Sequence, residues 1–219
     1  MPHILPTSDG SVTLQSELHN VTYHSIHGAV TESLHVFIET GLRKKQQEQP
    51  QIRILEMGFG TGLNAYLTFF HQKESQIYYT ALETNPISCE LAAQLNYPQQ
   101  IENQAISPIF EKIHAAEWDK EVLLSPHFTL KKHLQSLQDF ETTEKFDLIY
   151  YDAFDPAAQP ELWTESIFEK LFFLTAPHGI LVTYCAKGSV RRAMQAAGYR
   201  TERLPGPPGK REMLRATKN

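Results

Sequence analysis

The chain has 219 residues, 41% hydrophobic and 21% charged, which excludes disordered, collagen-like and low-complexity classes. Its 20 basic and 25 acidic residues give a net charge of −5, which as a chain average weighs against a nucleic-acid binder. Cys89 and Cys185 are too few for a disulfide framework and too far apart for a metal knuckle; with no signal-peptide pattern and no long uncharged apolar run, they predict a soluble protein of the reducing cytoplasm.

Partial alternation over residues 11–27 (SVTLQSELHNVTYHSIH) predicts a strand pair. An amphipathic helix follows over 31–42, with Leu34, Phe37, Ile38 and Leu42 at helical spacing and Gly41 as its stop. The polar run 43–51 (RKKQQEQPQ) reads as a connector, so residues 1–50 form an extension and 51–219 a core within one domain. At this length about 70% of the unfolded surface can be buried, and one core needs no metal or disulfide staple.

From residue 52 strands and helices alternate as in a parallel, doubly wound sheet. Strands are predicted at 52–57, 77–83, weakly at 127–130, at 146–152 and at 180–184. Helices are predicted at 63–71, 87–95, 163–174, where Trp163, Ile167, Leu171 and Leu174 form a stripe, and 190–197. The segments 199–204 and 211–217, joined through Pro205–Gly209 (PGPPG), read as an antiparallel hairpin. The predicted fold is therefore α/β, a Rossmann-like class I methyltransferase sheet with an N-terminal strand and helix extension and a C-terminal antiparallel hairpin.

The strongest local signal is ILEMGFGTGLN over residues 54–64, an apolar strand running into a glycine turn that opens a helix. Glycine lets the backbone turn tightly and approach a ligand at the strand's carboxyl end. A dinucleotide fingerprint would need glycine at position 63, where this chain has Leu63. Glu83 ends the second strand, placed to accept hydrogen bonds from ribose hydroxyls. The bland alternative is a tight turn and a solvated strand end. Together the two features point to a nucleoside-type ligand without a pyrophosphate, S-adenosylmethionine rather than NAD. Glu56, Gly58, Phe59, Gly60, Thr61, Gly62, Asn64, Glu83, Asp152 and Ala153 are the candidate cofactor contacts.

The strand FDLIYYDAFDP over 146–156 delivers Asp152 beside the same crevice. A nitrogen acceptor must be neutral to attack, and a carboxylate there can orient the amine and take up its proton. Asp152 is the candidate catalytic residue and Phe154 a candidate substrate contact, while Asp155 before Pro156 reads as a turn-former and Trp163 as core. Ten histidines are scattered without a metal-ligand pattern, and no nucleophile elbow is present, so no metal is expected.

The charge is unevenly placed. Residues 187–219 hold nine Lys or Arg and two acids, a local net of +7, which leaves 11 basic and 23 acidic residues in 1–186, net −12. Arg191 and Arg192 on the last helix and Lys210 and Arg211 at the hairpin form a candidate footprint for a nucleic-acid backbone, the alternative being a solvated basic face.

The segments GFGTGLN (58–64), DAFDPAAQPELWT (152–164), Val190-Arg191-Arg192 with Gly198, and the closing KREML (210–214) resemble the tRNA 5-aminomethyl-2-thiouridine methyltransferases, which also occur as the N-terminal half of a bifunctional wobble-uridine enzyme. Tyr23, Ser25 and the stretch Gly28, Glu32, Val36-Phe37 look similar to that family's lead-in. The resemblance implies S-adenosylmethionine as donor, the tRNA anticodon region as partner, and the aminomethyl nitrogen on C5 of the wobble uridine as acceptor. It implies that Gly58, Gly60, Gly62, Asn64 and Glu83 hold the cofactor and that Asp152 lies at the reacting amine. Two departures stand out: HFTLKKH (127–133) lacks the acid that often binds the adenine edge, and no second glycine fingerprint marks an FAD-dependent half, so methylation alone is expected. An aminopropyltransferase resembling spermidine synthase, which shares an Asp-x-Phe-Asp-Pro strand end, and a noncatalytic tRNA-binding module are the competing readings.

Overall fold

A computed structural model describes residues 3–18 and 20–219. Two short strands, β1 (His3–Pro6) and β2 (Val12–Gln15), pair antiparallel as a separate ribbon. The expected strand pair thus begins earlier than residue 11, and the chain after β2 returns through a single bridge between Gln15 and Thr22.

The N-terminal helix runs without a break through α1 (Ala29–Ser33), a π-helical stretch (Leu34–Leu42) and α2 (Arg43–Glu48). This corrects the expected stop at Gly41 and the expected connector over 43–51. A Cβ on Gly41 would stand 3.2 Å from the Leu148 and Val182 side chains, so this glycine lets the helix press onto the sheet. Most of the polar run is the outer face of α2, laced by Arg43–Glu39 and Lys44–Glu48 ion pairs at i,i+4 spacing, while Lys45 is buried and its ammonium donates to Glu48 and the His178 carbonyl.

The main elements follow as β3 (Gln51–Met57), α3 (Leu63–His71), β4 (Gln76–Glu83), α4 (Cys89–Ala92), α5 (Tyr97–Glu102), α6 (Pro108–Ala115), β5 (Glu121–Ser125), β6 (Phe128–Leu134), β7 (Phe146–Tyr151), a 3₁₀ turn (Pro160–Trp163), α7 (Glu165–Leu174), β8 (Thr175–Thr183), α8 (Gly188–Ala196), β9 (Arg200–Pro205) and β10 (Glu212–Thr217). The eight-stranded sheet has the order β5-β6-β4-β3-β7-β8-β10-β9. Its five central strands run parallel, the β9–β10 hairpin closes one edge antiparallel, and β5, with no counterpart in the sequence expectation, adds an antiparallel strand at the other.

Strand alternation sorts side chains into two cores. Ile54, Leu148, Tyr150, Ile180 and Val182 face the N-terminal helix, α3 and α6. Their neighbours Leu55, Ile149, Tyr151 and Leu181 face α7 and α8. Near-continuous apolar strands are what a parallel sheet covered on both faces requires. The expected helix over 87–95 contracts to α4, capped by Ser88, and Thr164 rather than Trp163 starts α7, its hydroxyl accepting from the Ile167 N–H.

Candidate active site

At the carboxyl end of β3 the chain makes the glycine turn, and Gly58, Gly60 and Gly62 all adopt positive φ, at 87°, 50° and 71°. A Cβ on Gly58 would lie 3.0 Å from the Asp152 carbonyl oxygen, and one on Gly60 would lie 3.0 Å from the Tyr23 ring. Only glycine fits both the backbone and the space, and the turn is left open to close approach.

The turn is tied to its neighbours. Gly58 and Phe59 N–H both donate to the Leu82 carbonyl at 3.1 Å, and Gly60 N–H donates to Glu83 Oε2 at 2.8 Å. Glu83 Oε1 takes the Thr84 and Asn85 N–H groups, each at 2.8 Å. Three of the carboxylate's roughly four acceptor positions are therefore committed to backbone, leaving about one for a ligand hydroxyl. Behind the turn, His114 Nε2 donates to the Thr61 carbonyl at 3.1 Å, and burial, aided by the Lys132 charge, holds this imidazole down at about 4, so it is neutral. Lys132 is itself buried, with its ammonium donating to the Ile113 and His114 carbonyls and lying over the Phe59 and Trp118 rings.

At the end of β7, Asp152 N–H donates to the Met57 carbonyl at 3.1 Å, which fixes the strand end against the glycine turn. The Asp152 carboxylate accepts from the Asn64 amide at 2.9 Å. Burial first, and the Glu32 charge second, push it up to about 7, against the opposing Asn64 bond and Lys210 charge. Glu56 lies wholly buried in β3 with no hydrogen-bond partner on either oxygen, and burial, then the Asp152 charge, raises it well above the carboxylate range. Burial and the neighbouring Asp152 charge both favour the protonated form of Glu56, so it is the acid that keeps its proton.

Gly58, Phe59, Gly60, Thr61, Asn64, Glu83, Asp152, Ala153 and Phe154 line one crevice, so the sequence-predicted cofactor set converges. Two members stand outside its wall: Glu56 is buried beneath the floor, and Gly62 supports the turn as the left-handed residue before α3. The crevice also has walls outside the predicted site set, Tyr23 and His24 from the lead-in and Gln159 from the turn after β7. Tyr23 meets Phe154 edge-on at 5.1 Å. His24 is buried and held by burial at about 4, with Nδ1 lacking a partner.

The basic residues are not gathered as one free patch. Lys210 turns inward onto Glu32, and Lys187, Arg203 and Arg215 pair with Asp155, Glu212 and Glu202. Arg191, Arg192 and Arg211 have no ion pair among the described residues. Asp155 accepts from the Ala157 N–H as a turn-former, and Trp163 is core, its indole donating to the Phe154 carbonyl. No cluster of three metal-ligating side chains and no helix long and apolar enough to cross a membrane occurs among the described residues.

A glycine turn after the first parallel strand, an acid ending the second, and a sheet closed by an antiparallel hairpin match the class I fold of S-adenosylmethionine-dependent methyltransferases. The sequence pattern of a family of S-adenosyl-L-methionine-dependent methyltransferases matches residues 100–219, and the chain belongs to that family. The tRNA 5-methylaminomethyl-2-thiouridine biosynthesis bifunctional protein MnmC of Pseudomonas savastanoi pv. phaseolicola is 32% identical over 214 residues, 89% of this chain and 32% of its own length. The chain spans about a third of the length of the curated relatives it matches. Among solved structures, MNMC2 from Aquifex aeolicus superposes with a TM-score of 0.77 at 24% identity, over 99% of this chain and 70% of that one. Spermidine synthase from Thermotoga maritima gives a TM-score of 0.54 at 12% identity, over 99% and 72%.

Proposed function

We propose that the protein methylates the exocyclic aminomethyl nitrogen on C5 of the wobble (2-thio)uridine of tRNA, giving 5-methylaminomethyl-2-thiouridine, and works in the cytoplasm. The observation that carries this is Asp152, a carboxyl poised near neutrality, held by Asn64 and locked against the glycine turn. The relatives named for this modification support the identity of the base.

The crevice fits S-adenosylmethionine. Its glycines leave the backbone bare, Glu83 keeps an acceptor position for a ribose hydroxyl, and Thr84 and Asn85 line the crevice beside it. When bound, the donor supplies an electrophilic methyl group whose sulfur leaves as a neutral thioether. Gly58, Phe59, Gly60, Thr61 and Asn64 would hold it, with Asp152 and Ala153 at the reacting end. Asp152 receives the acceptor amine, orients its lone pair and takes up the proton that the nitrogen must lose. Placement carries more of the rate than proton removal, because in-line attack depends on near-contact geometry. Phe154 with Tyr23 would flank the base, and Arg191, Arg192 and Arg211 would meet the tRNA backbone. A base extruded from the anticodon stack reaches such a recessed donor.

The test is incubation with labelled donor and tRNA carrying the unmethylated aminomethyl group, followed by digestion to nucleosides. Label in the wobble uridine is expected, and its absence there would sink the proposal. An aminopropyltransferase is the second reading, favoured by the Asp152–Pro156 motif and by the fold shared with spermidine synthase. Turnover of putrescine with the decarboxylated donor, without RNA, would establish it instead.

A further inference from the structure

A groove continues from the crevice on the side away from the glycine turn. The two share Tyr23, His24 and Phe154, and the groove then runs past Glu32, Tyr184 and Lys210. Glu32 in α1 is 6% exposed; its Oε1 accepts the Ser25 N–H at 3.0 Å and its Oε2 accepts the Lys210 ammonium. That ammonium lies 3.8 Å from the Tyr184 ring centroid, and the Tyr184 hydroxyl donates to the Ala153 carbonyl at 2.9 Å, one residue from Asp152.

Glu32 and Lys210 are 178 residues apart in sequence, and the fold brings them together beside the reacting carboxyl. A largely buried ion pair is a weak source of stability, since its desolvation cost can exceed its attraction and apolar residues of similar size often serve as well or better. Its position at the crevice mouth suggests a task in recognition. Each partner has hydrogen-bonding capacity left, two acceptor positions of about four on Glu32 and two of three donors on Lys210.

Resting on the proposed acceptor chemistry, we propose that Glu32 is a second carboxylate of the acceptor site: together with Asp152 it receives the acceptor nitrogen as an ammonium ion, and Lys210 is its counter-ion. The site thereby selects a cationic amine on a short arm over a neutral hydroxyl of the same shape. The bound ammonium loses one proton to the Asp152 carboxylate; that N–H bond breaks, an O–H bond forms, and the nitrogen keeps the electron pair with which it attacks. Glu32 is a substrate-binding residue that takes no proton. It holds the cation and raises the affinity of Asp152 for the proton, whereas Lys210 limits that rise. The other groups whose charge or hydrogen bonding acts with Asp152 are Glu56 in β3, Asn64 in α3, Tyr79 in β4, Tyr97 in α5 and Tyr184 after β8.

The experiment breaks the same ion pair from either end. Removing the like charge with Glu32→Gln should move the acid limb of the kcat/KM profile down by about half a pH unit or more, and removing the counter-ion with Lys210→Met should move it up. A merely structural pair would move both variants together or neither. Separately, anticodon stem-loops carrying 5-aminomethyluridine or 5-hydroxymethyluridine are titrated calorimetrically without donor. The wild type should prefer the amine at least about tenfold, and Glu32→Gln should lose most of that preference. Shifts in one direction, no shifts, or no preference for the amine in the wild type overturn the inference. Should Glu32→Gln fail to fold, the Lys210→Met profile and the wild-type preference still decide. A wild type that binds and prefers the amine yet labels no wobble uridine would break the proposed function alone; one that labels it without any such preference would break this inference alone.

Discussion

The two sides of Asp152 are built on opposite plans. On the donor side, residues 57–64 and 82–85 make most of the wall and much of their backbone is tied, Glu83 taking three N–H groups and His114 pinning Thr61, while Asn64 Oδ1 and the Glu56 carboxyl beneath stay unpaired. On the acceptor side, Tyr23, Glu32, Phe154, Tyr184 and Lys210 arrive from five separate places in the chain, and His24 keeps an unpaired buried nitrogen. The donor side is preorganised for one ligand shape. The acceptor side keeps unspent hydrogen-bonding capacity, as expected where a base must enter and leave.

Asp152 is the seam, and its loss should be the largest effect. Asp152→Asn keeps the Asn64 contact in shape but removes the charge, and turnover should fall about 10²–10⁴-fold while donor affinity, read by calorimetry, changes little. In the wild type turnover should rise as pH passes through about 7, where this carboxyl ionises. The stability sign is the reverse. The folded carboxyl holds its proton above the unfolded value, so stability falls as pH climbs from the unfolded value through about 7. Denaturant midpoints should decline across that window in the wild type and stay flatter in Asp152→Asn; equal slopes would show that Asp152 is not the buried titrating group.

Next comes the outer margin of the acceptor side. Reversing Arg191, Arg192 and Arg211 to Glu should weaken tRNA binding at least about tenfold and reduce the slope of log affinity against log salt by about 2–3, with donor affinity intact. Unchanged salt dependence would remove these three from the footprint. Lys210 is left out of that set because its ammonium is committed to Glu32.

On the donor side a single methyl group should matter. Gly62 has φ 71°, and a Cβ there would stand 2.9 Å from His114 Nε2 and 3.1 Å from the Phe59 ring. Gly62→Ala should cost about 1–2 kcal/mol in backbone strain, lower Tm by about 2–8 °C and weaken donor binding several-fold. A melting temperature within 1 °C of wild type would show that the turn is looser than it looks.

The contrast in construction also explains what could be read from the sequence. A contiguous segment such as GFGTGLN announces its turn because each glycine answers a local need, and β3, β4 and β7 announce themselves as apolar runs. The acceptor wall is scattered: Glu32 and Lys210 stand in segments that resemble the family, but that they pair with each other becomes visible only when the hairpin folds back onto α1. Gly41 misled because a glycine that permits close helix–sheet contact is spelled like one that ends a helix. The local +7 misled in part for the same reason: counting charges does not show that Lys187, Arg203, Lys210 and Arg215 already face carboxylates.

The smallest effect separates a turn from a site. Lys187 and Asp155 pair at 2.6 Å with side chains 48% and 41% exposed, and such pairs contribute about 0–1 kcal/mol. Lys187→Ala should therefore leave Tm within about 2 °C and turnover within about twofold. Asp155→Ala should cost more, because the same oxygen also accepts the Ala157 N–H that shapes the turn carrying Phe154 and Gln159 to the crevice. If the two variants match, Asp155 acts only through the ion pair. If Lys187→Ala alone weakens tRNA binding, Lys187 belongs to the backbone footprint and the acceptor margin extends to the start of α8.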